Sequence, residues 1–233
     1  MSQPDDPFTH LPPPRCGEPR AEVARAIRRQ CTRDLCQGKR LSCPKRVLLS
    51  LLLSFTAVGA LVALGLRRNP AGLAVGTVLF GLIVWSLVLA IVLVVGLGRP
   101  PGRRIARAWR LLLAVGVPLA FLAYLTVESS GSVALAEFVR GKHADGALFC
   151  GAHTFLFSGL ISAGVLLLWR GTDPLSPGLS GALAGVVGGL SGAMGMGVAC
   201  PNGEAWHLWC AHGSAVVALS GIGWLVGRRW LAP

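Results

Sequence analysis

The chain has 233 residues, of which 53% are apolar and only 14% charged, with a mean hydropathy of +0.61. A water-soluble domain carries about a quarter charged residues, so a soluble enzyme of one or two domains is excluded. A net charge of +12 would point to nucleic acid on a soluble protein, but on a membrane protein it reports which loops face the cytoplasm.

Residues 1–19 are rich in proline and short of apolar side chains, and are expected to be disordered. From Arg20 to Cys36, Val23, Ile27, Cys31 and Leu35 recur every fourth residue. That spacing stacks them on one face of a short amphipathic helix, with Arg25, Arg28, Arg29 and Arg33 elsewhere on its surface. Too small to form a core, the helix is expected to lie on the inner leaflet or to dock on a partner protein. The Cys31-x4-Cys36-x6-Cys43 series lacks the paired C-x2-C spacing of a zinc site and has no histidine beside it, so these thiols read as inert.

After this N-terminal segment (residues 1–46), residues 47–233 read as a transmembrane domain. A helix crossing hydrocarbon needs about 20 apolar residues. Six stretches qualify: Val47–Leu66, Leu73–Leu97, Leu111–Val127, Ala147–Trp169, Leu179–Ala199 and Trp209–Val226, none with a Lys, Arg, Asp or Glu inside. The expected fold class is therefore an all-α integral membrane protein with six transmembrane helices. The first span is not a cleavable signal, because 46 residues precede it and Arg67-Arg68-Asn69-Pro70 reads as a turn.

Pro118 should kink the third span. In the fifth, Gly181, Gly185 and Gly189 lie four apart and Gly188 and Gly192 repeat the spacing on a neighbouring face. Small-residue stripes let backbones approach closely, which predicts a central position in the bundle. No intramembrane charge offers a proton relay, and the two halves share no inverted repeat, which argues against a pump or carrier.

Basic residues set the orientation. The N-terminal segment, the loop carrying Arg99, Arg103, Arg104, Arg107 and Arg110, the loop with Arg170, and the tail with Arg228 and Arg229 hold 18 of the 22 Lys and Arg. The alternate loops hold four: Arg67, Arg68, Arg140 and Lys142. Both termini are expected in the cytoplasm.

That topology sorts the cysteines and histidines. Cys150, Cys200 and Cys210 fall at the outer ends of spans four, five and six, joined by His143, His153, His207 and His212. Thiolate and imidazole together suit soft or borderline metals such as zinc, copper(I) or cadmium, and two outer thiols can also be oxidised to a disulfide. Cys150 and Cys200 are the candidate signal-sensing residues, with His153, His207, Cys210 and His212 as candidate metal ligands. No phosphate-binding glycine loop, H-E-x-x-H, G-x-S-x-G or C-x-x-C occurs, so an enzyme is not expected. Glu204, the lone carboxylate between spans five and six, reads as solvated.

Six spans follow a basic segment, with Cys150 starting span four and a Cys200-Pro201 step ending span five. A Trp/His-bearing start to span six then closes with Gly227-Arg228-Arg229. This arrangement resembles the negative regulator of sigma-F (NrsF) family, and the light- or stress-responsive CarR-type anti-sigma proteins are similar in plan. The resemblance covers Val47–Pro233 and is firmest from Val198 to Leu231; the N-terminal segment, Cys210 and His212 depart from the pattern. It implies a bacterial inner-membrane anti-sigma factor that holds an extracytoplasmic-function sigma factor and releases it under metal or oxidative stress, with two periplasm-facing cysteines that map to Cys150 and Cys200.

The sigma factor is expected to dock on the Val23/Ile27/Leu35 face. The other expected partner is the lipid bilayer; nucleic acid is not expected, and the only cofactor expected is a transiently bound soft metal. The alternative is a membrane metal-binding or transport component with a periplasmic Cys/His entry site.

Overall fold

The computed structural model describes residues 41–64, 75–98, 106–128, 144–170, 176–200 and 202–231. Six helices occupy them: α1 (Cys43–Leu64), α2 (Val75–Ile91, continued by a π turn over Val92–Leu97), α3 (Arg107–Glu128), α4 (Ala144–Leu168), α5 (Pro177–Ala199) and α6. The last runs from Ala205–His207 through a π turn over Leu208–Gly213 into Ser214–Trp230. All six are long and apolar enough to cross a membrane, and no strand occurs among the described residues. The protein is an all-α, multi-pass membrane protein.

Several helices outrun the apolar stretches. α1 begins at Cys43 rather than Val47, helped by Pro44, whose fixed φ suits a first turn. α6 extends from Ala205 to Trp230, past the apolar stretch at both ends. Arg228 and Arg229 are exposed in its last turn, where long side chains can reach the headgroup layer. α3 continues through Pro118 from Arg107 to Glu128. The amphipathic stretch Arg20–Cys36, with Val23, Ile27 and Leu35, lies outside the described residues.

The burial pattern identifies the centre of the bundle. In α5, 89% of the most apolar window is buried, against 22–44% in the other five helices. α5 packs on every other helix, most extensively on α6 and α4. The two glycine stripes are what permit this. Gly189 lies so close to α6 that an added Cβ would stand 2.6 Å from Val216 Cα, while Gly188 faces Ser158 and Ser162 of α4. Leu183, Val186, Val187 and Leu190 fill the remaining faces of α5 and are fully buried.

The opposite ends of the bundle differ in chemistry. At the end where α1 starts and α4 finishes, Arg46 lies over the Trp169 ring at 6.0 Å and Trp169 Nε1 donates to Ser50 Oγ at 3.1 Å. At this same basic end the buried Arg110 donates through Nη2 to Ser180 Oγ of α5 at 2.7 Å, and the Cys43 thiol donates to the Gly98 carbonyl at 2.9 Å. The other end, where α4 starts and α5 finishes, holds the cysteines and histidines.

Candidate functional site

Cys150 sits in the second turn of α4. The buried positions that follow it, Thr154, Ser158, Ile161, Val165 and Trp169, recur every three or four residues and mark the side of the helix that faces inward. Cys150 lies on this stripe, and Thr154, one turn on, donates Oγ1 to its carbonyl at 2.8 Å. The fully buried Thr154 therefore closes the inner side of the position.

Cys200 is placed by the chain's exit from α5. A residue preceding proline is sterically pushed out of the helical region. Cys200, before Pro201, has φ −80° and ψ 126°, extended backbone that ends the helix, while its N–H still bonds the Met196 carbonyl at 2.7 Å. Its side chain is buried. The Cys150 and Cys200 sulfurs stand 3.5 Å apart, and both thiols are free.

His207 completes the group. Its Nε2 lies 3.1 Å from Cys200 Sγ, and the ligand atoms of Cys150, Cys200 and His207 all fall within 4.8 Å of one another. The π turn that follows bonds residue i to i+5, so residues five apart come onto one face, as residues four apart do in an α-helix. His212 is five after His207, and the two imidazole rings stand 5.4 Å apart. Both are buried, at 2% and 1% exposure, and His207 Nδ1 and both ring nitrogens of His212 have no hydrogen-bond partner among the described residues. His212 and Cys200 line one end of a cavity of about 60 Å³ whose walls include Trp85, Phe121, Tyr124 and Met194. Trp85 and Phe121 meet edge-on, 4.9 Å between centroids.

The remaining expected ligands stand apart. Cys210 is exposed. The His153 ring is half-buried against Phe149 at 4.2 Å, and its Nδ1 pairs with the Phe149 carbonyl at 2.9 Å within α4. Glu204 is half-buried, its backbone N–H bonded to Asn202 Oδ1 at 2.9 Å. His143 lies outside the described residues. Thr154, Trp85 and Met194 were not singled out in sequence. Of these, only Thr154 carried a signal, its position four residues after Cys150.

The cluster shapes its own electrostatics. Cys200 lies just beyond the end of the α5 span. The hydrogen bond from the Cys150 thiol, and after it the one from His207, hold the Cys200 thiol well below its ordinary range, against burial, which acts in the other direction. Thiolate is the form that binds metal and attacks oxidants. Paired sulfurs beside an imidazole suit either chemistry.

A family model described as negative regulator of sigma F, NrsF, matches residues 32–232, a range that includes all six helices and every member of the cluster. No curated protein and no solved structure gives a significant match. The chain therefore belongs to the NrsF family of negative regulators of sigma F.

Proposed function

We propose that the protein is an inner-membrane anti-sigma factor with both termini in the cytoplasm. It holds an extracytoplasmic-function sigma factor there and releases it when a periplasmic metal or oxidative signal reaches Cys150 and Cys200. Family membership supplies the anti-sigma role. The observation that carries the sensing half is the 3.5 Å approach of two free thiols from helices that are distant in sequence. Thiol-directed chemistry at that point acts on α4 and the end of α5 together. α5 touches every other helix, so a change at its end has a route to the far side of the membrane. A switch of this kind needs a bundle with two packings whose balance the signal shifts.

The grip on the sigma factor belongs to the N-terminal segment, which offers ten Lys or Arg residues in its 46 and the Val23/Ile27/Leu35 stripe. Charge steers the encounter and the stripe supplies the contact. Ile27→Asp, or deletion of residues 1–40, should free the sigma factor and switch on its regulon without a stimulus. Co-purification of the sigma factor with the deleted protein would move the grip to another cytoplasmic segment.

The sensor is tested by reporter induction. Cys150→Ser or Cys200→Ser should each abolish induction while leaving the protein inserted and the sigma factor bound. Cys16→Ser and Cys36→Ser should change nothing. Normal induction in the Cys150→Ser, Cys200→Ser double variant would reduce the pair to packing thiols, and constitutive release in either single variant would make them bundle-stabilising instead.

A further inference from the structure

Two histidines at the cluster end are buried more deeply than structure alone requires. Burying an imidazole whose nitrogens make no hydrogen bond is costly, because the ring gives up its hydration for nothing. His207 recovers part of that cost through Nε2 on Cys200; His212, 1% exposed, has the Cys200 thiol nearby but no hydrogen bond of ordinary geometry. The π turn that aligns the two rings is itself a departure from the α-helix, of a kind that concentrates at functional sites. A packing role would be served as well by a leucine in an unbroken helix.

We propose that Cys150, Cys200, His207 and His212 form a four-coordinate site for a thiophilic d10 metal ion of the zinc, cadmium or copper(I) class. This rests on the reading of the Cys150/Cys200 pair as the sensor and names the signal it takes.

For Cys150, Cys200 and His207 the distances fit three corners of a tetrahedron. Zinc bonds of about 2.3 Å to sulfur and about 2.0–2.1 Å to nitrogen give edges of roughly 3.8 Å between two sulfurs and roughly 3.5 Å between sulfur and nitrogen. The sulfurs stand 3.5 Å apart, and Cys200 Sγ stands 3.1 Å from His207 Nε2. Opening each edge by a few tenths of an ångström admits the ion. His212 stands outside that group of three, but it is on the same face of the π turn and lines the same cavity as Cys200, and a small inward shift would make it the fourth ligand. It lies close enough to act on the Cys200 thiol.

On binding, both sulfurs coordinate as thiolates, any proton still on them passing to water, and each imidazole donates one nitrogen lone pair; no electron is transferred. The rings of Trp85, Phe121 and Tyr124 line the cavity beside it. Coordination would tie α4, the end of α5 and the start of α6 to one atom.

The test uses the full-length protein, reduced and in lipid nanodiscs. It is titrated with Cd²⁺ alone and, anaerobically, with Cu⁺ alone, reading the sulfur-to-metal charge-transfer band and the metal bound per chain. One ion per chain is expected. His212→Ala should weaken cadmium binding by more than the ~10–100-fold that losing an outer-shell partner costs. His212→Cys should keep the stoichiometry and add charge-transfer intensity, which separates lost ligation from lost folding. Cys210→Ser and His153→Ala should bind as the parent does.

Parent-like binding in both His207→Ala and His212→Ala would reveal a two-coordinate thiolate site and overturn the proposal. So would the lack of stoichiometric binding in a protein whose induction still needs both cysteines, an outcome that leaves the thiol sensor standing. Stoichiometric, histidine-dependent binding alongside normal induction in the double cysteine variant would do the opposite, keeping the metal site and overturning the sensor.

Discussion

The Cys200 thiol is lowered by the groups around it, and each can be removed in turn. Because its pKa is depressed on folding, the folded state binds fewer protons there than the unfolded chain. Its contribution to stability is thus present above the ordinary thiol value of 9.0 and is lost as the pH falls through the folded value. Reactivity follows the same sign: modification of Cys200 by a small methylating thiosulfonate, followed by mass spectrometry across pH, should have its midpoint below 9.0. Cys150→Ala, which removes the larger cause, should move that midpoint upward, and His207→Ala should move it less. An unmoved midpoint in Cys150→Ala would mean that the sulfur–sulfur contact does not set the ionisation.

Most of this residue-scale picture was legible in the sequence, because topology alone brought Cys150, Cys200 and His207 to one face of the membrane. The sorting among the candidates was not. On an α-helix Cys210, three after His207, would share its side and His212 would point away. The π turn reverses the two, burying His212 and exposing Cys210, and nothing in Leu208–Gly213 announces an extra residue per turn. His153 falls outside the group, its ring packed on Phe149 and its Nδ1 paired with the carbonyl one turn back.

At the scale of elements, the glycine faces of α5 make a sharp contrast available. A Cβ on Gly185 would stand 2.9 Å from Ser220 Cα, with the backbone of Leu219 closer still, and neither can move without shifting α6. Gly185→Val should therefore force the helices apart, at a cost on the order of 1–3 kcal/mol typical of overpacking. It should lower the unfolding midpoint in mixed detergent accordingly. Gly221, on the open side of α6, has nothing within 4 Å of a Cβ, so Gly221→Ala should leave the midpoint unchanged or raise it slightly through helix propensity worth about 0.5–1 kcal/mol. Equal effects at the two positions would mean that α5 and α6 are not in the contact described.

The π turn invites its own experiment. Deleting Cys210 removes one residue from the wide turn and should return it to α geometry, leaving His207 and His212 four apart and still on one face while Ser214–Trp230 keeps its register. The deleted protein should insert normally and keep its cadmium affinity, and a loss as large as that expected for His212→Ala would mean that the wide turn itself sets the ligand geometry. Spacing identified the six helices and the two glycine faces, because hydropathy and a four-residue repeat are written directly in the residues. It misplaced the helix ends, where Arg228, Arg229 and Pro44 extend the helices beyond the apolar stretch.

The whole molecule is polarised along its length, with buried Arg46 and Arg110 at one end and buried His207 and His212 at the other. The division of basic residues, 18 against 4, predicts which end faces the cytoplasm. Reporter fusions at Arg40, within Arg99–Arg110 and after Pro233 should report cytoplasm, and fusions near Lys142 and Gly203 should report periplasm. A periplasmic N-terminus would place the thiols in a reducing compartment and remove the basis for a periplasmic sensor.

The burial of α5 bears on how the molecule is made. Its lipid-facing area is small and its glycines are poor anchors in hydrocarbon, so the helix that holds the bundle together is among the least able to remain in the bilayer alone. Its partners arrive on either side of it in time: α4 is synthesised before it, and α6 follows after residues 200–204. α5 and α6 should therefore enter as a hairpin against a waiting α4, and a chain stopped at Ala199 should be recognised as unfinished and degraded. The cluster cannot exist before that hairpin closes, because His207 and His212 belong to the last helix made, so a sensor of the proposed kind would operate only in completed molecules.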